Sequence, residues 1–387
     1  MSKPYYVTIT GSRNNAGDFL IRHRAHALLR HFRPDRNIVD MNSWEAFSDG
    51  QLEIVNGAVA LILLGGPALR RDMYPKVYPL VDDLDRIKVP ITIMGAGWHA
   101  SPGTWEDSRA YTFTPATLRL LQRIDAGNTS LSVRDYRSLN ALAVAGIANG
   151  VMTGCPALYI PERIGSPFVG FSSKGVKNLV ISPGVTFIRS AALEQQLKNL
   201  IMELRSGFPD ANLTVAFHHS IQPDVLKKAY DNDQTVAADR QLAVVKWLDE
   251  QEVDYMDISG GVEKLIQLYD GADFHVGYRV HAHIFMCSQR KPSVLLTEDG
   301  RGRGLKDVLG GVIFDSWKKR EYSVKDRIRQ RVLRLRPERY VAFSGIAADV
   351  KRIVNYEWQH RYPRFSQPQQ RIDLHHEMMK AYIMELP

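Results

Sequence analysis

His275-Val276-Gly277-Tyr278-Arg279-Val280-His281-Ala282-His283-Ile284 is the stretch of this chain richest in groups that can do chemistry. An apolar run gives way there to a helical pattern, and the junction carries Arg279, His281 and His283. An arginine can fork onto a phosphate or carboxylate, and a neighbouring histidine can give or take a proton near neutral pH. His281 and His283 stand two apart, so on a helix they point in different directions and do not form the one-face pair of a zinc protease. No metal is expected. Asp299-Gly300-Arg301-Gly302-Arg303 follows the next apolar run, where a loop would bring further cations to the same edge.

The first half offers weaker signals of the same kind. Gly11-Ser12-Arg13-Asn14-Asn15-Ala16-Gly17-Asp18 lies between an apolar run and a helical pattern, where backbone N–H groups and the helix dipole can receive an anion. It lacks the spacing of a dinucleotide or phosphate loop, and a plain turn with Asp18 capping the helix accounts for it equally well. Gly65-Gly66-Pro67 and Gly95-Ala96-Gly97 each follow an apolar run, so both read as glycine turns at strand ends. His99 comes just after the second turn and would stand beside a cleft. Arg134, in Ser132-Val133-Arg134-Asp135, ends another strand, with a simple ion pair to a neighbouring carboxylate as its plain structural reading.

These residues need elements to hold them. Apolar, β-rich runs alternate with longer stretches of helical period, the pattern of parallel sheets with crossover helices, so the fold class is α/β. Strands are expected at 5–10, 37–40, 59–64, 90–94, 130–133 and near Val151, with helices at 19–31, 115–125 and 136–145. After Pro161 and Gly165-Ser166-Pro167 a second set begins, with strands at 179–182, 213–217, 253–258, 273–277, 293–296 and 312–314. Helical patterns occupy 191–205, 239–251, 262–269, 280–289 and 346–356. The chain thus divides into residues 1–165, 166–316 and a helical extension, 317–387, and two facing open sheets would hold a ligand at their carboxyl ends.

With 387 residues the chain exceeds one comfortable core. Hydrophobic residues at 44% and charged residues at 24% exclude a disordered or fibrous class. No apolar run is long enough to span a membrane, no leader pattern is seen at the start, and two cysteines are too few for a disulfide scaffold, which together point to a cytoplasmic setting. The net charge of +8 suggests nucleic acid until its distribution is read. Residues 317–339 hold ten Lys or Arg and three Asp or Glu, a net +7. A patch so confined points to contact with an anionic surface and not to a nucleic-acid-binding body. Within it Val324, Ile328, Val332 and Leu335 recur at helical spacing among arginines, as in a basic amphipathic helix lying on a membrane face or packing its apolar stripe on the second domain.

Asn15-Ala16-Gly17-Asp18, Gly65-Gly66, Ser132-Val133-Arg134-Asp135 with Ser138, Gly154-Cys155-Pro156-Ala157-Leu158 and Arg279-Val280-His281-Ala282 together resemble the polysaccharide pyruvyltransferase family in order and spacing. The resemblance spans about three hundred residues, and the Arg-x-His-Ala element is its most specific part. It departs at Cys155, where the family usually has an aspartate, and at Arg301, where a lysine is frequent. The resemblance implies two facing Rossmann-like domains of GT-B-like architecture, and the basic C-terminal helical segment after Trp317 lies beyond the part it matches. It also implies transfer of pyruvate from phosphoenolpyruvate to a sugar as a ketal, with no cofactor beyond that donor. Arg279, His281 and Arg134 would bind the donor, with His99 and Arg301 contributing. His281 would be the general acid, and Asn15, Gly17, Asp18, Gly65 and Gly66 would line the acceptor side, where a sugar or lipid-linked saccharide enters. A glycosyltransferase using a nucleotide sugar is the competing reading, since its donor would also want arginines at that edge. A catalytically silent polysaccharide-binding module is the third.

Overall fold

The computed structural model describes residues 3–11, 14–127, 129–225, 235–323, 326 and 340–387, except for the side chains of residues 235–238. Apart from Asp326, the amphipathic helix expected between Val324 and Leu335 lies outside the described residues.

The first sheet is built from β1 (Tyr5–Thr10), β2 (Asn37–Asn42), β3 (Ala60–Leu69), β4 (Ile91–Trp98), β5 (Leu131–Val133) and β6 (Gly150–Met152), in the order β2-β1-β3-β4-β5-β6. The second holds β7 (Asn178–Ser182), β8 (Asn212–Phe217), β9 (Asp254–Asp257), β10 (Phe274–Gly277), β11 (Ser293–Thr297) and β12 (Val312–Asp315), ordered β12-β11-β10-β7-β8-β9. Every neighbour pair in both sheets is parallel. Parallel strands covered by helices on both faces must be apolar throughout, as Ala60–Leu64 is, each residue being buried. A short antiparallel pair, β13 (Trp317–Lys319) and β14 (Tyr340–Ala342), follows the second sheet.

The helices are α1 (Ala16–Phe32), α2 (Asp49–Asn56), α3 (Trp105–Arg109), α4 (Pro115–Asp125), α5 (Tyr136–Val144), α6 (Ala191–Gly207), α7 (Thr235–Glu250), α8 (Glu263–Asp270), α9 (Val280–Ser288), α10 (Gly300–Leu309), α11 (Ile346–Gln359) and α12 (Gln367–Met384). Local chemistry sets several of the starts. Thr114 accepts from the Thr117 N–H with Pro115 in the first turn, and Asp135 accepts from the Ser138 N–H. Each sheet reverses its winding once, between β1 and β3 in the first and between β7 and β10 in the second, and such switch points open a crevice at the carboxyl ends.

Three expectations are corrected. Gly65, Gly66, Gly95 and Gly97 do not end their strands, because β3 and β4 run on through them. A Cβ on Gly65 would overlap the Gly95 carbonyl, Gly66 and Gly95 have φ of 104° and 69°, and the β3–β4 register shifts between Gly66 and Leu69. Glycines here make a bulge where two backbones nearly touch. Asp299-Gly300-Arg301-Gly302-Arg303 is not a loop but the start of α10, since the Asp299 side chain accepts from the Arg301 N–H as an N-cap. Its glycines sit against the other domain, where a Cβ on Gly103 would overlap the Gly300 Cα and one on Gly304 would crowd the Asp135 carboxylate. Helices α2, α3 and α12 were also not anticipated. The last of these returns to the first domain, where the Tyr382 hydroxyl donates to the Ile93 carbonyl at 2.9 Å.

Candidate active site

Arg279 and His281 project from the end of β10 and the first turn of α9, into the switch-point crevice of the second sheet. The Arg279 N–H donates to Ser182 Oγ at 3.2 Å and its Nε to the Pro183 carbonyl at 2.8 Å, so two residues at the end of β7 fix its direction. Ser182 Oγ also lies 2.8 Å from His275 Nε2, and His275 Nδ1 lies 2.8 Å from Ser293 Oγ, which in turn meets His283 Nδ1 at 2.8 Å. His283 therefore belongs to a buried polar chain behind the site, while His281 faces the cleft, as their spacing required. His281 is only 7% exposed.

The crevice is a narrow pocket of about 20 Å³, lined by Asn15, His218, Arg279, His281, Glu298 and Arg301 among others. Asn15 is the one lining residue from the first domain, and it arrives as the N-cap of α1. Asn15 Oδ1 accepts from the Gly17 N–H and Asn15 Nδ2 donates to Asp18 Oδ2 at 3.1 Å, so Asn15 and not Asp18 caps the helix. The Ala16 N–H donates to the His218 carbonyl at 3.1 Å and the Gly260 N–H to the Asn14 carbonyl at 2.9 Å, joining the two domains at this point. Gly17 has a steric role: a Cβ there would overlap the His281 ring.

Arg134 is 4% exposed and lies over Gly97, where a Cβ would overlap its guanidinium. Its Nε is 3.6 Å from Asp135 Oδ2, an ion pair of the plain structural kind, yet Nη1 and Nη2 have no hydrogen-bond partner among the described residues. His281 Nε2 is likewise buried and unpartnered there. Leaving such donors unsatisfied costs about 1 to 3 kcal/mol each, and for a guanidinium more, so an absent acceptor is implied. Arg301 differs, because its Nε and Nη2 grip the Asp299 carboxylate at 2.7 to 3.0 Å. Asp299 consequently stays at about 2 although burial alone would push it up.

Electrostatics follow from burial among arginines. Loss of solvent, reinforced by Arg134, Arg301 and Arg279, lowers His281 to about 3, so the free site holds a neutral imidazole. His99, half-buried, falls to about 4 through burial and then Arg301. His218, 2.9 Å from the Tyr269 hydroxyl by its Nε2, is pushed well down by burial and by Arg279. Glu298 is raised by burial even though it accepts from the Val185 and Thr186 N–H groups at 2.9 and 2.8 Å. Asp18 is raised by burial against the opposing effects of Asn15, Arg301, Arg134 and Arg279.

Of the residues singled out in the sequence, the pocket gathers Asn15, Arg279, His281 and Arg301. Gly17 and Arg134 adjoin it, whereas Asp18 and Gly65 line a neighbouring pocket of the first domain and Gly66 sits beside Asp18. His99 stands on the first-domain wall among the charges of Arg301, Asp299 and Arg70. His218 and Glu298 were missed, although each directly follows a strand of the second sheet, the same signal that marked Arg279.

The fold and the site together define a two-domain α/β enzyme of the GT-B type, with an arginine-lined cleft between its halves. The sequence profile of the polysaccharide pyruvyl transferase family matches residues 15–300, and the chain belongs to that family. No curated protein matches it. Among solved structures, UDP-GlcNAc 2-epimerase from Neisseria meningitidis bound to UDP-GlcNAc aligns with a TM-score of 0.50 at 10% identity, over 97% of this chain and 98% of that one. MnaA of S. aureus with UDP gives a TM-score of 0.48 at 10% identity, covering 97% and 94%. Among the described residues, no helix is long and apolar enough to cross a membrane.

Proposed function

We propose that this pyruvyltransferase takes its pyruvate from phosphoenolpyruvate and leaves it as a ketal on a sugar of a polysaccharide or lipid-linked precursor, releasing phosphate. The observation that carries this reading is the set of buried polar atoms without a partner among the described residues, His281 Nε2 in the crevice beside Arg279 and Nη1 and Nη2 of the adjoining Arg134. A donor bearing both phosphate and carboxylate would meet them all. Arg279 and Arg134 then neutralise the two anionic groups as charge moves onto the leaving phosphate. His281 protonates the methylene carbon, which makes the central carbon electrophilic to a sugar hydroxyl, and a second hydroxyl displaces phosphate and closes the ring. A neutral imidazole cannot donate that proton, but an anionic donor lying against it favours the imidazolium, so binding loads the acid.

The competing reading, a nucleotide-sugar donor, draws on the likeness to epimerase structures that hold UDP-GlcNAc or UDP. Incubating the protein with radiolabelled phosphoenolpyruvate and with a panel of nucleotide sugars decides between them. Label entering a glycan only from the nucleotide sugars would sink the pyruvyl donor. The basic segment 317–339 would draw the chain to an anionic membrane face displaying lipid-linked acceptors. Sedimentation with anionic vesicles should fall at high salt and in a variant with Arg327, Arg329, Arg331 and Arg334 all changed to Gln. Equal pelleting of both proteins would remove this part of the proposal.

A further inference from the structure

A second pocket opens in the first domain, at the switch point between β1 and β3. It has a volume of about 360 Å³ and is lined by Thr10, Gly11, Asp18, Gly65, Arg70 and Tyr78 among others. Only the capping turn of α1 separates it from the donor crevice. Asn15 lines the crevice, its side-chain amide holds one oxygen of the Asp18 carboxylate, and Asp18 lines the second pocket. The other carboxylate oxygen, Oδ1, faces Gly66, where a Cβ would stand at an ordinary contact distance of 3.7 Å.

Building on the pyruvyl-transfer reading, we propose that this second pocket seats the acceptor saccharide and that Asp18 is the base that takes the proton of its attacking hydroxyl. Polar lining, a volume suited to a sugar ring and a carboxylate at the boundary with the donor crevice carry the assignment. In the first step the hydroxyl oxygen bonds to the central carbon, its proton passes to Asp18, and the π pair of the donor takes a proton from His281 at the methylene carbon. In the second step the other hydroxyl bonds to the same carbon and gives its proton to the now neutral His281. The bond to the phosphate oxygen breaks with its electron pair leaving on phosphate, which receives the proton held by Asp18. Both residues return to their starting states.

Arg134, Arg279 and Arg301 act on Asp18 from three elements, with Asn15, the Tyr78 hydroxyl and the Cys155 thiol completing its polar surroundings. Burial, the largest influence, raises this carboxyl above the ordinary range, which makes it a stronger base than an exposed aspartate. The carboxylate form is the working form, so turnover is lost as pH falls through its pKa.

The test uses the full chain, phosphoenolpyruvate and methyl hexopyranosides of gluco, galacto and manno configuration, with phosphate release as the readout. Asp18→Asn should melt cooperatively, bind phosphoenolpyruvate by calorimetry at least as tightly as wild type, and lose turnover about a hundredfold or more. The acid limb of the kcat/KM profile for the acceptor should vanish with it. Arg70→Gln should raise the acceptor KM about tenfold while leaving donor affinity unchanged. Asp18→Asn that keeps wild-type turnover and the acid limb overturns the base, and Asp18→Glu that matches wild type in turnover while Asp18→Asn loses donor binding reduces Asp18 to a charge partner. A donor Kd that moves in Arg70→Gln while the acceptor KM does not would assign the pocket to the donor. Wild type that binds phosphoenolpyruvate yet releases no phosphate with any glycoside sinks the pyruvyl-transfer reading and this one together.

Discussion

His281 carries the sharpest demand at the residue scale, because the free site holds its imidazole neutral at about 3 and the proposed chemistry needs it charged. Donor binding must then take up about one proton per site between that value and the pKa of the complex, and affinity must weaken as pH rises through this window and level off above it. Calorimetry of phosphoenolpyruvate binding in buffers of different ionisation heat reads that proton directly. We expect uptake in wild type and none in His281→Gln, which should also lose turnover by about a hundredfold to ten-thousandfold while melting normally. Proton uptake that survives in His281→Gln would move the acid elsewhere. Arg279→Lys tests the partner. The Arg279 guanidinium is braced by the Pro183 carbonyl through Nε, and a lysine has neither that brace nor the fork. Donor Kd should weaken at least about tenfold, and unchanged Kd and kcat would contradict a forked contact.

At the scale of elements, Gly17 separates stability from function. It lies in the first turn of α1 with no unusual φ, so alanine there suits the helix by about 1 kcal/mol. The same methyl would overlap the His281 ring and force the whole side chain aside. Gly17→Ala should still melt cooperatively within a few degrees of wild type, because the helix gain offsets part of the roughly 1 to 3 kcal/mol of overpacking, and lose turnover about a hundredfold, since a displacement of about 1 Å costs that much. A fully active Gly17→Ala would mean that the ring can move without consequence. The strands that position the site were readable because buried parallel strands must be continuous apolar runs, and Arg279, His281 and Asn15 were readable because they fall at the short junctions between such runs and the helical patterns after them. The glycines of β3 and β4 were misread as turns because a bulge is fixed by the approach of a second strand, which one strand's sequence does not contain. Helix α10 was hidden for the same reason, its glycines answering to Gly103 and Asp135 across the domain junction. His218 and Glu298 also follow strands of the second sheet directly, but a single histidine and a single carboxylate lack the arginine–histidine clustering that marks the end of β10.

For the whole molecule, the cleft is only as well defined as the hold of one domain on the other. Near the site that hold includes the bonds from the Ala16 N–H to the His218 carbonyl and from the Gly260 N–H to the Asn14 carbonyl, and the Arg137 guanidinium, whose Nε meets Asp307 Oδ2 at 2.9 Å. At the far side α12 acts as a strap. Its end is tied to the first domain where the Tyr6 hydroxyl donates to the Pro387 carbonyl at 2.7 Å, and the Tyr382 hydroxyl lies 3.1 Å from Thr92 Oγ1. Its start is tied to the second domain by Arg290, a buried guanidinium that donates to the Gln369 carbonyl, the Arg163 carbonyl and the Asp373 carboxylate. Truncating Arg290 to Ala leaves three acceptors short of a donor and opens a cavity, a loss of about 3 kcal/mol. The melting temperature should therefore fall by several degrees. Function should respond differently, because Arg290 follows the end of α9 while His281 is in its first turn, about 13.5 Å away at 1.5 Å per residue. Phosphoenolpyruvate at a hundredfold excess over Kd adds about 2.7 kcal/mol to any fold that keeps its site. Melting scans with and without donor should thus show the same ligand increment in Arg290→Ala as in wild type, on a lower baseline. An increment that collapses with the baseline would mean that the strap sets the geometry of the cleft as well as holding the halves together.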